Sequence, residues 1–511
     1  MNLFSPIRDG IIRTSAFVPL RIAYAGAYGA ILAAIALRIK RVPQIESLEL
    51  KKPRPGHCFG SSDLDLRARV SVKTAEEFFA VADRLANILL AENAWLRVVD
   101  LHLFPSCELK LQRRLQSQSF NEDPRWYCLF GTPTATATNS AAPSDEFLGR
   151  AAYDYAFICK ELFQGTLDLH ATRLLYTKAG RIHRTLGTIL PWSPDLSSDF
   201  REVLQAARES ERGRPRKASF PELARAHALA LKELSMACEC ALRKPDGSRA
   251  MAMTRECIAP ETMDAAVASC RETIGRLCND LQGTLRSAML SAVPGCAFEY
   301  RVNLVLDDQA KPEEVIAVSK AVRALYSSPT VHQQIPREYF REFFPLVLTK
   351  SAYAASARCF HALRPAEESA FLRRHGVVLW GENLRDCAIL ADADETRRSA
   401  AVASADLRNR IWAALHLNQP HRLLDLLMGR IAALWLVLAR SEVATSPGEA
   451  VMGCVRAEMP NAEILENLYR CTAGRRRSEL PGVHDNLWKP ALDALTHWLD
   501  DITGMALHAI G

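Results

Sequence analysis

Two aspartates two residues apart, Asp63 and Asp65, are the side chains of this sequence best suited to chemistry. Residues i and i+2 of a β-strand point the same way, so both carboxylates would share one face while Leu64 and Leu66 on the opposite face enter a core. Gly60, Ser61 and Ser62 precede them and would let a large ligand approach the backbone. Mg²⁺ prefers carboxylate oxygens, usually together with substrate phosphates. The spacing therefore indicates phosphoryl or nucleotidyl transfer, with a solvated loop end as the ordinary alternative for Asp-x-Asp.

A third carboxylate is expected on a neighbouring strand. Residues 95–103 alternate between polar and apolar side chains, which places Asp100 and His102 on one face. An amphipathic stretch with an N-terminal capping box separates this strand from the first and predicts a helix between them. If the two strands are neighbours, Asp100 meets Asp63 and Asp65. Three acids so close repel one another unless a cation lies among them.

The order of these motifs resembles that of a known family. Gly-Ser-Ser-Asp-Leu-Asp-Leu at 60–66, the capped helix and Val-Val-Asp-Leu-His-Leu at 98–103 resemble the nucleotidyltransferases of the DNA polymerase β superfamily. Members of that family carry Asp-x-Asp on one strand and a third acid on a neighbouring strand. The resemblance implies transfer of a nucleoside monophosphate from an NTP to a hydroxyl group, with Mg²⁺ as cofactor.

The resemblance also implies roles for individual acids. Asp63 and Asp65 would bind two Mg²⁺ ions. Asp100 would complete the metal site as a ligand or base, with Glu108 as the alternative third acid. Asp100 is preferred because the residues around it alternate more regularly.

The chain departs from the family pattern shortly before the first aspartate. Lys51 and Lys52 stand where the family has a Gly-Ser pair. Lysine neutralises phosphate charge but cannot reproduce a close approach of the backbone. We therefore predict a nucleotide site that combines both lysines with residues 60–62 (Gly60, Ser61 and Ser62). A catalytically silent nucleotidyltransferase-like scaffold or binding protein is the alternative.

The C-terminal third resembles the helical domain of aminoglycoside-type nucleotidyltransferases. The similar segments are residues 434–450, with the helix-start residues Ser446, Pro447 and Glu449, and more weakly residues 373–381. A small-molecule acceptor is favoured, because the sequence shows no strong track of basic and aromatic residues of the kind that binds nucleic acid. Transfer to RNA or protein is a further alternative, because the net charge of +6 permits polyanion binding without requiring it.

Composition places the chain among globular proteins of more than one domain. It has 511 residues, 49% of them hydrophobic and 24% charged. The 14 cysteines show no zinc-site spacing and predict reduced thiols in a cytoplasmic protein. An uncharged run at 22–37 is shorter than the roughly 20 residues of a membrane span, so we expect a helix buried against the first sheet and no membrane span.

We predict an α+β fold, in which a nucleotidyltransferase-like mixed β-sheet with flanking helices is followed by a large α-helical region. The expected domains are a catalytic domain at 1–135, a helical middle region at 145–290 and a mainly helical region at 297–511 with one strand near 298–306. Strands are expected near 46–51, 63–70, 95–103, 107–112 and 126–130. No internal repeat at a fixed period is visible.

Overall fold

The computed structural model has two four-stranded mixed β-sheets with helices packed around each, which confirms the α+β class. It describes residues 10–51, 59, 64–93, 99–105, 126–132, 144–187, 190, 200–211, 216–242, 271–292, 300–327, 343–355, 376–387, 400–439, 459–472 and 479–509, apart from positions 16, 166, 272, 273, 282, 402, 403, 405, 406, 432, 433, 436 and 437. The strand predicted at 107–112 and the helix start at Ser446 lie outside these residues. The predicted domain boundaries stay a prediction.

The first sheet follows helix α1 and has the strand order β3-β2-β1-β4. Its elements are α1 (Val18–Ile39), β1 (Ile45–Lys51), β2 (Leu64–Val70), helix α2 (Ala75–Asn93), β3 (Val99–Pro105) and β4 (Trp126–Gly131). β1 is antiparallel to β2 and β4, whereas β2 is parallel to β3. A parallel pair needs a crossover, and α2 supplies it. Four of the five predicted N-terminal strands are therefore present within a few residues of their expected positions.

Helix α1 packs on the first sheet by one face only. Tyr28, Ile35 and Ile39 are buried in the same core as the strands, but Ile22 and Leu37 on the other face are 68% and 64% exposed. Only 17% of the most apolar 18-residue stretch of α1 is buried, so the expectation of a buried helix is wrong for most of this helix. Among the residues that the structure describes, α1 alone has the length and apolar character of a membrane-spanning helix. One such helix near an N-terminus is weak support for a span.

A second sheet lies where the sequence predicted a mainly helical region with one strand. Its elements are β5 (Leu285–Ala292), β6 (Tyr300–Leu306), helix α7 (Pro312–Ser327), β7 (Phe343–Thr349), a short helix α8 (Lys350–Ala354) and β8 (Val377–Gly381). The strand order is β7-β6-β5-β8. The strand predicted near 298–306 is β6. Residues 285–290 and 345–349, for which helices were expected, belong to β5 and β7.

Two groups of helices complete the fold. The middle helices are α3 (Ser144–Gln164), α4 (Leu169–Leu186), α5 (Arg201–Glu211) and α6 (Phe220–Leu242). The C-terminal helices are α9 (Leu407–His416), α10 (Pro420–Leu424, continued by a π-helical segment at Asp425–Ile431), α11 (Ala462–Thr472) and α12 (Lys489–Ala509). The middle helices share one hydrophobic core with the second sheet. The C-terminal helices contact the first sheet and α2.

Candidate metal site on the first sheet

Asp65 and Asp100 lie side by side on the two parallel strands of the first sheet. The register of β2 and β3 pairs them directly, and one ligand atom from each lies with one from His102 in a group whose members are all within 4.8 Å of one another. The side chain of Asp100 is 53% exposed and that of Asp65 is 32% exposed. The site therefore opens to solvent, and a ligand could reach both carboxylates.

His102 follows Asp100 by two residues on the same face of β3. Its Nε2 lies 3.4 Å from Oδ2 of Asp100. On the other side of the ring, Nδ1 accepts a long contact of 3.5 Å from the amide nitrogen of Asn409 on α9. The backbone N–H of Leu103 donates to Oδ1 of the same asparagine at 3.2 Å. Asn409 thus ties helix α9 to the strand that carries Asp100. Sequence reasoning missed this residue, because it lies more than 300 positions away.

Lys51 ends strand β1 next to the acids. Its Nζ lies 3.3 Å from Oδ2 of Asp65 and 5.7 Å from the centre of the Trp126 ring. The lysine was predicted to bind the nucleotide, and the structure brings it to the same place as the predicted metal ligands. A cation beside Asp65 offsets part of the charge that the paired carboxylates concentrate there.

Two arginines on the aspartate face of β2 have glutamate partners on β1. Arg67 binds Glu49, both side chains are 3% exposed, and the guanidinium lies 4.5 Å from the centre of the Trp126 ring. Arg69 binds Glu46 at 2.5 Å. Both arginines pair with glutamates that the sequence analysis did not single out.

The remaining predicted site residues lie outside the described part of the chain. They stay predictions, and they are Lys52, Gly60, Ser61, Ser62, Asp63 and Glu108. The sequence alternation that places Asp63 on the face of Asp65 would add a third carboxylate at the end of β2.

The donor set of the described residues fits a divalent cation. Two carboxylates are hard oxygen ligands of the kind that Mg²⁺ and Mn²⁺ bind, and the exposure of Asp100 leaves room for water or phosphate oxygens. An imidazole is a poor Mg²⁺ ligand but a common partner that orients a ligating carboxylate. His102 is placed for that second role, because it lies against Asp100.

No family model matches this chain, and a search of curated proteins finds no similar one. The geometry and chemistry of the site therefore carry the functional argument.

Proposed function

We propose that this protein is a Mg²⁺-dependent nucleotidyltransferase that moves a nucleoside monophosphate from an NTP to the hydroxyl of a small molecule. The observation that carries the proposal is the direct pairing of Asp65 with Asp100 across two parallel strands. The crossover helix between those strands and the antiparallel β1 beside them agree with the nucleotidyltransferase-like sheet that the sequence motifs indicate.

The residues of the chain have separable roles in this proposal. Asp65 and Asp100, with Asp63 as the predicted third ligand, hold the cation. When bound, the cation neutralises phosphate oxygens and clamps the attacking and leaving groups. His102 orients the carboxylate of Asp100. Lys51 lies within reach of the same space and balances the charge of the triphosphate.

The ion pair between Lys51 and Asp65 favours one competing function, a catalytically silent nucleotidyltransferase-like binding protein. An ammonium group at 3.3 Å from Asp65 stands close to where a metal ion would bind. Such a protein would bind nucleotide without transferring it. The two functions differ in a measurable way, because only the enzyme needs a divalent cation at the acids.

The test combines metal binding with transfer. Mn²⁺, as a spectroscopic substitute for Mg²⁺, is titrated into the purified chain and followed by electron paramagnetic resonance. Each labelled NTP is then incubated with the chain, Mg²⁺ and a cell extract fractionated into metabolites, RNA and protein. We expect Mn²⁺ binding and labelling of the metabolite fraction, both lost in Asp65→Asn and Asp100→Asn.

The matched control is Asp83→Asn, because Asp83 is an exposed aspartate on α2 of the same sheet unit. It should retain both metal binding and transfer. Full transfer by Asp65→Asn and Asp100→Asn would refute the proposal. Nucleotide binding without transfer in the wild-type chain would support the silent binding protein instead, and label in RNA or protein would change the acceptor class.

A further inference from the structure

The two β-sheets share more than strand order. In each, the first strand is antiparallel to both of its neighbours, and the second strand is parallel to the third across a connecting helix. In each crossover helix, a glutamate of the first turn accepts from a backbone N–H just before the helix. The backbone N–H of Lys73 donates to Glu77 before α2, and that of Lys311 donates to Glu314 before α7, each at 2.7 Å. The two sheets therefore have the same strand order, the same strand directions and a crossover helix at the same place, so their topology is the same.

The irregularities of the two sheets also coincide. The ladders of β1 and β5 each skip one residue, between Ile45 and Ser47 in the first sheet and between Leu285 and Ser287 in the second. The last strand of each sheet is shifted at the matching place as well. A bulge at one position could arise by chance, but matched bulges on two strands indicate a shared backbone design.

A glycine ends the last strand of each sheet in the same unusual conformation. Gly131 has φ +82° and Gly381 has φ +76°. A Cβ at either position would lie 2.0 or 2.2 Å from a backbone carbonyl oxygen, that of Glu46 or of Arg286 respectively. These two carbonyls belong to the residues that the ladders of β1 and β5 skip. Glycine is therefore required at the same structural point in both sheets.

Among the residues that the structure describes, the second sheet lacks the two paired acids of the candidate metal site. The register places Arg301 where the first sheet has Asp65, and Phe344 where it has Asp100. Leu346 takes the position of His102. A cation and two apolar residues cannot hold a divalent metal ion.

Each sheet is completed by the helices of the other half of the chain. Helix α3, which follows the first sheet, covers β7 of the second, and Tyr155 donates from α3 to the carbonyl oxygen of Val347. Helix α9, which follows the second sheet, covers β3 of the first, where Asn409 accepts from the N–H of Leu103 at 3.2 Å. Leu103 and Val347 occupy equivalent positions in the two ladders.

The last long helix described in each of the two helix groups, α6 and α12, shows the same exchange. In α6, Nδ1 of His227 lies 3.1 Å from Oγ of Ser319 on the crossover helix α7. In α12, Oδ1 of Asp500 accepts from the N–H of Ala75 at 3.1 Å, at the start of the crossover helix α2. The middle helices thus pack against the second sheet and its crossover helix, and the C-terminal helices pack against the first sheet and its crossover helix.

We infer that the chain is a fused pair of copies of one unit, a sheet followed by helices, whose helices are exchanged between the copies, and that the second copy is a non-catalytic one. The duplication and the exchange stand apart from the proposed function. The inference that the second copy is non-catalytic rests on the proposed function, because it concerns the acids of that reaction. One chain then carries one metal site, and the second sheet serves as a structural partner.

Hydrogen exchange on the full-length chain tests the helix exchange. The side chain of Trp412 on α9 is 5% exposed, and its Nε1 donates to the carbonyl oxygen of Ala82 on α2 at 3.3 Å. Trp412→Phe should speed exchange about tenfold in peptides of α2 and β3 while the second sheet keeps wild-type rates. Tyr155→Phe, the matched variant on α3, should do the reverse and loosen β7.

Opposite results would overturn the exchange. They are faster exchange in the second sheet for Trp412→Phe, faster exchange in the first sheet for Tyr155→Phe, or no change in either protein. If a phenylalanine variant does not fold, smaller changes probe other contacts of the same exchange: Asn409→Ala removes the contact of α9 with β3, and Ser319→Ala removes that of α7 with α6.

Mn²⁺ stoichiometry tests the silence of the second copy. We expect all stoichiometric Mn²⁺ binding to be abolished by Asp65→Asn with Asp100→Asn and retained in Arg301→Gln. Residual stoichiometric binding in the double variant would overturn the silence of the second sheet. A wild-type chain that binds no Mn²⁺ would refute the proposed function, and with it any difference in metal binding between the two copies. The hydrogen-exchange experiment would still decide whether the helices are exchanged between the copies.

Discussion

The buried ion pair of the first sheet should tolerate the loss of both charges far better than the loss of one. Glu49 and Arg67 are each 3% exposed, and the guanidinium packs on Trp126. At the matching positions the second sheet has Met289 and Asn303. The same backbone therefore accepts an uncharged pair there, and we predict that Glu49→Met with Arg67→Asn is more stable than either single variant.

The magnitude follows from burial. Removing one partner of a buried pair costs about 3–5 kcal/mol, because the other charge stays desolvated and unpaired. Removing both leaves no stranded charge and loses mainly the contact with Trp126, which is worth up to about 2 kcal/mol. The double variant should therefore cost at least about 4 kcal/mol less than the sum of the two single variants.

The assay is a double-mutant cycle read by native-state hydrogen exchange in peptides of β1 and β2. The control is the same cycle on Arg286 and Asp307, a pair at 2.8 Å whose side chains are 53% and 48% exposed. Solvent screens that pair, so no coupling should be resolved. Additive costs for Glu49 and Arg67, within about 0.5 kcal/mol, would refute the reasoning.

Three further predictions concern single positions. Gly131→Ala should destabilise the first sheet by several kcal/mol in urea unfolding, because its Cβ would clash with the backbone. The control Gly283→Ala shares a positive φ but has open space around its Cβ, so it should cost only roughly 1–2 kcal/mol. Equal costs for the two variants would contradict the clash with the backbone. Lys51→Met should tighten Mn²⁺ binding about two- to fivefold by removing the cation beside Asp65, yet weaken NTP binding, and calorimetry showing both affinities moving the same way would exclude this dual role. Burial lowers the pKa of His227 from 6.5 to about 3, so below pH 6.5 the unfolded chain gains a proton that the folded chain excludes. At pH 5 this proton costs about 2 kcal/mol of stability. Urea unfolding at pH 7 and pH 5 should show this loss in the wild-type chain, and the loss should be missing in His227→Gln.

The first sheet was predictable because its signals are local. Alternation placed Asp100 on one face of a strand, and the helix predicted between the two acidic motifs is the kind of crossover that neighbouring parallel strands need. Together these brought Asp65 and Asp100 side by side. The partners Glu49 and Asn409 could not be predicted in the same way. Glu49 on β1 pairs with Arg67 on β2, and Asn409 contacts a strand about 300 residues away. Neither contact leaves a pattern in the sequence around the residues that make it.

The second sheet was largely missed for two physical reasons. Residues 285–292 read Leu-Arg-Ser-Ala-Met-Leu-Ser-Ala, which is rich in helix formers, and tertiary pairing overrides that preference. The run at 343–349 is continuously apolar, so its period does not distinguish a buried strand from a buried helix. The duplication was hidden because matched positions drift, from 236 residues apart for Asp65 and Arg301 to 250 for Gly131 and Gly381.

The exchange of helices also sets the order in which a ribosome can finish the two halves. The second sheet follows its helices, so everything it packs against has been made once residue 387 is synthesised. The first sheet is made early but must wait for α12, which ends at Ala509. At about 5–20 residues per second, the strands that carry Asp65 and Asp100 wait for tens of seconds before their cover arrives. The nascent chain would then be most exposed to aggregation or to chaperones at the very sheet that holds the acids.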